Sequence, residues 1–459
     1  MEIFDVIIIG AGQAGNPLST TFAQAGKKTA LIEQNHLGGS CINTGCTPTK
    51  TMIASAEIAH LVRQSEIFGV KSGEVSVDLK KVRQRKNDIV TSFREGIQNR
   101  IGNSDVDLIY GKATFSGPKT VFVKENEGGE RQLTAEIIII DTGSHPRLLE
   151  LDGLSQINYL DSTQIMELEE IPQHLVILGG SYIALEFGQM FHHFGSRVTI
   201  LELGDQLMPR EDKDIADSVA DIFNEEGIQI LLNAKANSTK PINNGGFSLN
   251  YSMGNKDFSI EGSHLLLAIG RVPNSADLNL EAAGIKTGEH GFITVNEFLE
   301  TNVPGVYAVG DVNGGPAFTH NSYDDYRILK ANILEGKNKS TKGRLVPYVL
   351  YTDPQLGRIG LSEKEAREKG LNIQVVKLPM KQVARAIEVN RTYGMLKVVV
   401  DMNSKLILGA ACLGFEGGEI MAMLEIAMLG NLTYPVLRNA IFAHPSLAEA
   451  LNNLFADLP

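Results

Sequence analysis

The chain has 459 residues, 43% hydrophobic and 21% charged, which is enough apolar material for a large core and, at ~150 residues per domain, about three domains. Its formal net charge of −12 argues against nucleic acid or an anionic membrane as a partner. No apolar run approaches the ~20 residues that span a bilayer, and the acidic start Met1-Glu2-Ile3-Phe4-Asp5 lacks the basic region of a signal peptide, so a cytoplasmic protein is expected.

Val6-Ile7-Ile8-Ile9 is a short β-branched run that ends in Gly10-Ala11-Gly12-Gln13-Ala14-Gly15. A helical stretch to Gln24 follows, then Lys28-Thr29-Ala30-Leu31-Ile32-Glu33. Strand, glycine-rich turn, helix, strand and acid in that order predict a dinucleotide-binding opening. Gly10 makes the turn, Gly12 lets the backbone approach a pyrophosphate, and Gly15 lets helix and strand pack closely. The helix N-terminus receives the phosphates. Glu33, 23 residues past Gly10, stands where a carboxylate accepts hydrogen bonds from ribose hydroxyls.

Cys41 and Cys46 come next, in Gly38-Gly39-Ser40-Cys41-Ile42-Asn43-Thr44-Gly45-Cys46-Thr47-Pro48-Thr49-Lys50. An extended chain would hold them ~16 Å apart, and a disulfide needs Cα atoms within ~7 Å, so the chain must fold back between them. Gly45 permits the turn, and Pro48 beside a threonine suits the first turn of a helix over Thr49 to Leu61. Cys46 then lies near a helix N-terminus, where the dipole favours thiolate. A reversible disulfide with one activated sulfur is the functional reading; a structural disulfide or two buried thiols are the alternatives. Three cysteines are too few for a disulfide scaffold, and a C-x4-C pair without a second pair is poor zinc spacing, so no metal site is expected.

The dinucleotide pattern returns at Leu175-Val176-Ile177-Leu178-Gly179-Gly180-Ser181-Tyr182-Ile183-Ala184, with a helix through Phe194 and a strand Arg197-Val198-Thr199-Ile200-Leu201-Glu202. Ser181 and Ala184 replace two motif glycines, yet Glu202 again lies 23 residues past the first glycine. Two such units imply two dinucleotides. Glu202 would repel a 2′-phosphate and favours NADH, while Arg197 and Arg210 nearby leave NADPH open. The Pro/Gly/Asn-rich stretches at 241–246 and 336–343 read as loops.

Thr301-Asn302-Val303-Pro304-Gly305-Val306-Tyr307-Ala308-Val309-Gly310-Asp311 predicts a buried strand that delivers Asp311 to the ligand edge of a sheet, with a helix-capping aspartate as the alternative. Cys412 reads as a core residue of a strand. In His444-Pro445-Ser446-Leu447-Ala448-Glu449, a histidine suited to proton transfer is followed by a carboxylate that could orient it.

Taken together these segments resemble the pyridine nucleotide-disulfide oxidoreductases, which include glutathione reductase, dihydrolipoamide dehydrogenase and mercuric reductase. The two glycine motifs, the cysteine pair and the Gly305–Asp311 segment fall in that family's order. Thr142-Gly143-Ser144 and Gly270-Arg271-Val272-Pro273-Asn274 resemble its connecting segments. The resemblance covers nearly the whole chain. It implies an α/β fold with two Rossmann-like dinucleotide-binding domains and a C-terminal α+β dimerisation domain. The expected division is FAD binding at 1–150, NAD(P) binding at 151–270, a return to FAD binding at 271–340 and an interface domain at 341–459.

Carried over position by position, the resemblance makes Cys46 the flavin-proximal thiolate and Cys41 the sulfur that exchanges with substrate. Lys50 would stand near the flavin with Glu186 as its ion-pair partner, and Tyr182 would gate the nicotinamide. His444 and Glu449 would serve Cys41 of the partner subunit, so a homodimer is implied. FAD would rest on Gly10, Gly12, Gly15, Glu33, Lys50, Gly143 and Asp311, and the nicotinamide nucleotide on Gly179, Tyr182, Glu202, Gly270 and Arg271.

Ser181, Ala184-Leu185-Glu186, Gln189 and Arg210-Glu211-Asp212 resemble the mercuric reductase branch. Asp324-Asp325-Tyr326-Arg327 resembles related bacterial flavoproteins that reduce copper(II). The chain ends at Pro459 without the vicinal cysteine pair of mercuric reductases, and its FAD motif begins at residue 10 without their metal-binding domain, which argues against efficient mercury detoxification. The expected activity is electron transfer from NADH through FAD and the Cys41/Cys46 pair to a metal ion, Hg(II) or Cu(II). A small-disulfide reductase and a flavin-bound redox sensor without turnover are the alternatives.

Overall fold

The structure, a computed structural model, describes residues 1–243 and 245–459; within the loop expected at 241–246, Asn244 lies outside the described residues. The chain forms two compact units. The first holds Met1–Met52, Lys80–Arg147 and Gly270–Arg344, and the second Ile53–Leu79, Leu148–Ile269 and Leu345–Pro459. The fold is mixed α/β, as expected.

In the first unit β1 (Glu2–Ile9) feeds α1 (Gly15–Gln24) and then β2 (Thr29–Glu33). β1 lies between β2 and the strand Glu130–Ile140, parallel to both, and Val306–Ala308 adds to the far edge. Val6, Ile7 and Ile8 are fully buried, because a parallel sheet covered on both faces wants a continuous apolar run rather than an alternating one. An antiparallel meander of Val106–Gly117, Thr120–Glu125 and Glu130–Ile140 closes the other side. Two helices follow β2: the short α2 (Gly39–Asn43) and the long α3 over Cys46–Gln64, which begins three residues before the sequence pattern suggests.

The second unit repeats the device. His174–Leu178 leads into the Tyr182–Phe194 helix and then to Arg197–Leu201, in a five-stranded parallel sheet completed by Gln229–Leu231, His264–Leu267 and Tyr159–Leu160. A three-stranded antiparallel sheet spans Ala234–Gly262. The C-terminal part is a five-stranded antiparallel sheet in the order Tyr348–Leu350, Gln355–Gly360, Ile407–Gly414, Met395–Asp401, Ile373–Pro379. Cys412 is fully buried in its core, where burial pushes the thiol up to about 12. No helix among the described residues is long and apolar enough to cross a membrane.

Candidate active site

Cys41 sits in α2 and Cys46 is the first residue of α3, with only Thr44 and Gly45 between the two helices. Gly45 is needed there: a Cβ would lie 2.8 Å from the Ser40 carbonyl oxygen. Asn43 fixes α2 from behind. Its Nδ2 donates to the Leu37 and Gly39 carbonyls at 3.0 and 2.9 Å, while Arg94 donates to its Oδ1 at 2.8 and 3.1 Å. The chain reversal brings Cys41 into side-chain hydrogen-bond contact with Cys46. That bond, burial and the charge of Cys46 raise the Cys41 thiol far above an ordinary cysteine, against which Thr319 and the Lys50 ammonium act. Cys46 lies at the positive end of α3, with its sulfur 3.5 Å from the Thr319 hydroxyl.

The glycine-rich turn touches this pair's support directly. Gly38 donates its N–H to the Ala11 carbonyl at 2.8 Å, and a Cβ on Gly39 would fall 2.8 Å from the Gly12 Cα. Gly10 has φ +102, and a Cβ on it would lie 2.3 Å from the Asp141 carbonyl oxygen. Glu33 accepts the Ala11 N–H at 2.9 Å through Oε2 and the Asn35 N–H at 2.8 Å through Oε1. At the sheet's C-terminal edge the Ser144 hydroxyl donates to Asp311 at 2.6 Å and accepts from Arg271 Nε at 2.8 Å, so Asp311, Ser144 and Arg271 form a chain. Asp311 itself lies in a short 3₁₀ turn, Gly310–Asn313, just past its strand.

In the second unit Gly179 has φ +108, with a Cβ position 2.4 Å from the Ala268 carbonyl oxygen. Gly180 faces the Glu202 carboxylate, whose Oε1 accepts the Gly204 N–H at 2.7 Å. Tyr182 donates to Glu211 at 2.7 Å. Tyr348 donates to the same oxygen at 2.6 Å, and Arg358 Nε reaches the other at 3.2 Å. Burial and then the Glu211 charge push the Tyr182 phenol far up. Glu186 is buried in the same unit, where its Oε1 accepts the Tyr351 N–H at 3.0 Å; Lys50 belongs to the first unit. Near the C-terminus His444 Nδ1 lies 2.9 Å from Glu449 Oε2, with the ring two-thirds exposed.

Two glycine turns with acids behind them, and a paired thiol between them in sequence, match a known arrangement. Residues 4–325 match the sequence profile of the pyridine nucleotide-disulphide oxidoreductases, and residues 346–455 match that family's dimerisation domain. The chain belongs to the pyridine nucleotide-disulphide oxidoreductases. This oxidoreductase is 38% identical over 461 residues to the probable pyridine nucleotide-disulfide oxidoreductase RclA of Escherichia coli K12, with 99% of each chain covered. It is 34% identical to the dihydrolipoyl dehydrogenase of Thermus scotoductus over 98% of this chain and 96% of that one. With a mercuric reductase of Staphylococcus aureus it shares 32% identity over 98% of this chain and 81% of the relative. The solved Cu(II) complex of the HOCl-induced flavoprotein disulfide reductase RclA from Escherichia coli has the same fold, with a TM-score of 0.90, 38% identity and full coverage of both chains.

Enzymes of this oxidoreductase family use FAD and NAD(P)H. The first turn fits a pyrophosphate: among the described residues the N–H groups of Gly12, Gln13 and Ala14 have no hydrogen-bond partner and lead into α1. Gly143, with φ +69, has no atom within 4 Å of a Cβ position, leaving the backbone open to a ligand. At the second turn the N–H groups of Gly180 and Ser181 are likewise unpartnered among the described residues. Two functional positions of the oxidoreductase escaped the sequence reading. Asp141 is buried behind the first turn and accepts the Gly15 N–H at 2.7 Å. Glu211, with no side-chain exposure, anchors Tyr182. Asp141 had a usable signal, since it ends the apolar run Ile137–Ile140 at a strand's C-terminal edge.

Proposed function

We propose that this chain passes electrons from NADH, through FAD and the Cys41/Cys46 pair, to a metal ion, with Cu(II) the foremost acceptor. The observation that carries the reading is the side-chain contact between Cys41 and Cys46, with Cys46 at the first residue of α3. Bound FAD would supply the two-electron transfer between the nicotinamide and the disulfide. The residues do the rest. Reduction of a Cys41–Cys46 disulfide by two electrons and one proton gives the Cys41 thiol and the Cys46 thiolate, the latter held at the helix dipole, and Cys41 meets the acceptor. Two Cu(II) ions each take one electron, the disulfide re-forms and one proton leaves. Lys50, on the turn of α3 after Cys46, holds positive charge beside the pair, with Glu186 as its proposed counter-charge. Gly10, Gly12, Gly15, Glu33, Gly143 and Asp311 would hold FAD, and Gly179, Tyr182, Glu202, Gly270 and Arg271 the nicotinamide nucleotide. The Cu(II) complex of the RclA relative supports a metal acceptor. NADH supply puts the reaction in the cytoplasm.

The His444–Glu449 contact favours a second reading, reduction of a small disulfide. There the leaving thiolate needs a proton, and a histidine held by a carboxylate supplies one. In a homodimer the exposed ring would serve Cys41 of the partner subunit.

Substitution of each sulfur tests the scheme. Cys41→Ser leaves Cys46 as the sole thiolate, which should give the FAD-loaded protein long-wavelength absorbance without reductant; Cys46→Ser should abolish it. Both should retain FAD and lose turnover on Cu(II), Hg(II), lipoamide and glutathione disulfide, and the acceptor with the highest wild-type kcat/KM identifies the substrate. Wild-type turnover by either variant on every acceptor would overturn the redox-pair assignment.

A further inference from the structure

His60, His193 and Glu226 converge in the second unit from three separate helices: Cys46–Gln64, Tyr182–Phe194 and Lys213–Glu226. One donor atom from each lies within 4.8 Å of the other two. His193 Nε2 stands 3.1 Å from Glu226 Oε2, and the His60 ring stacks on His193 with centroids 4.0 Å apart and planes 24° from parallel. His193 is buried, while His60 and Glu226 are half-buried, so the cluster opens to solvent on one side. None of its members belongs to the redox pair or to either nucleotide turn.

We propose that His60, His193 and Glu226 form a binding site for one divalent transition-metal ion of borderline character, with zinc(II) the reference occupant. Two imidazoles and one carboxylate are a ligand set such ions accept, and three protein ligands leave the fourth position to water. At bond lengths of ~2.0–2.2 Å, tetrahedral ligand atoms stand ~3.3 Å apart. The His193–Glu226 separation already meets that figure, and a turn of the half-exposed His60 ring closes the remainder.

Several features prepare the site. Gln189 Nε2 donates to both Glu226 oxygens at 3.0 and 3.1 Å and to the Asp353 carbonyl at 2.8 Å, which holds the carboxylate in place as an outer partner. Arg63 donates to the His193 carbonyl, fixing the helix that carries this ring. His60 makes no side-chain hydrogen bond among the described residues, so its ring nitrogens are uncommitted in a half-buried setting. Burial pushes both His60 and His193 down to about 4, so they are neutral donors at neutral pH. The charges facing the cluster are Asp353, Arg63 and Arg391, together with the His192 ring. The site escapes sequence inspection because its ligands are far apart in the chain and share no local spacing.

The test is calorimetric titration of zinc(II) into FAD-loaded, full-length protein whose Cys41 and Cys46 have been alkylated, so that thiols do not compete. One site per chain is expected. His60→Ala and Glu226→Gln should each weaken it by at least the ~10- to 100-fold that even an outer-shell change costs. Zinc(II) should also raise the wild-type Tm, with a smaller rise in both variants, since an ion that binds only the folded state stabilises it. Retention of FAD and of the far-UV spectrum shows that the variants fold. Absence of a site in the alkylated protein, or unchanged affinity in both folded variants, would overturn the assignment.

Discussion

Gly15 donates its main-chain N–H to Oδ2 of Asp141 at 2.7 Å, which ties the start of α1 to a buried carboxyl group. Burial holds that carboxyl well above the usual carboxylate range. The bond from Gly15 opposes the rise, and the charges of Asp311, Asp325 and Glu33 add to it. An acid with a raised pKa in the folded state takes up a proton on folding. Its contribution is therefore fully favourable below the ordinary aspartate value and is lost as pH climbs through the raised one. Asp141→Asn keeps an acceptor for Gly15 and cannot ionise. It should gain on the order of 1 kcal/mol over wild type at about pH 8 and little near pH 4. Thermal denaturation at the two pH values checks this; the same Tm difference at both would contradict it.

The nucleotide preference should follow Glu202. Its carboxylate is held by the Gly204 N–H at 2.7 Å against Gly180, and like charge there opposes a 2′-phosphate. NADH should be favoured over NADPH by about tenfold or more in kcat/KM, and Glu202→Ala should narrow the gap. Equal wild-type kcat/KM for the two nucleotides would remove the basis for this assignment.

Glu211 and Tyr182 should differ sharply in cost. Glu211→Gln takes the carboxylate from Arg358, whose side chain is 5% exposed, and should destabilise by about 3–5 kcal/mol. Tyr182→Phe removes one neutral donor and leaves Tyr348 and Arg358 on Glu211, so about 1 kcal/mol is expected. Urea denaturation measures both, and equal losses would mean that Glu211 is not the organising group.

His444→Ala should separate acceptors by their proton demand. Turnover with lipoamide or glutathione disulfide should fall by about 100-fold or more, because a leaving thiolate must be protonated. Cu(II) reduction needs no such proton and should fall less. Glu449→Gln should act in the same direction with smaller effect, since it disturbs the 2.9 Å contact that orients the ring without removing the ring. Equal slowing on all acceptors would assign His444 a structural role.

Much of this was legible in the chain because it is local. The Gly10–Gly15 and Gly179–Ala184 turns announce themselves through residues a few positions apart, flanked by apolar runs whose period fixes strand and helix. Cys46 was placed near a helix start, and the helix proves to begin at that residue, since Gly45 already supplies the first acceptor, to the Thr49 N–H at 3.1 Å. What could not be read depends on partners distant in sequence. Asp141 earns its importance from Gly15, 126 positions away, and Glu211 from Tyr348 and Arg358, 137 and 147 positions away. Nothing in the Arg210-Glu211-Asp212 run itself shows that the middle residue is sealed from water while Asp212 turns to Lys397 at 2.9 Å.

The Glu211 junction also sets limits on grafting. Tyr182 comes from the Tyr182–Phe194 helix, Tyr348 and Arg358 from the C-terminal sheet, and all share one carboxylate inside one compact unit. A transplant of residues 148–269 alone would carry Glu211 away from Arg358 and leave a buried anion in the graft and a buried guanidinium in the donor. Chimaeras that exchange nucleotide specificity with a relative should therefore move residues 148–269 and 345–459 as a matched set, or carry Tyr182, Glu211, Tyr348 and Arg358 across together.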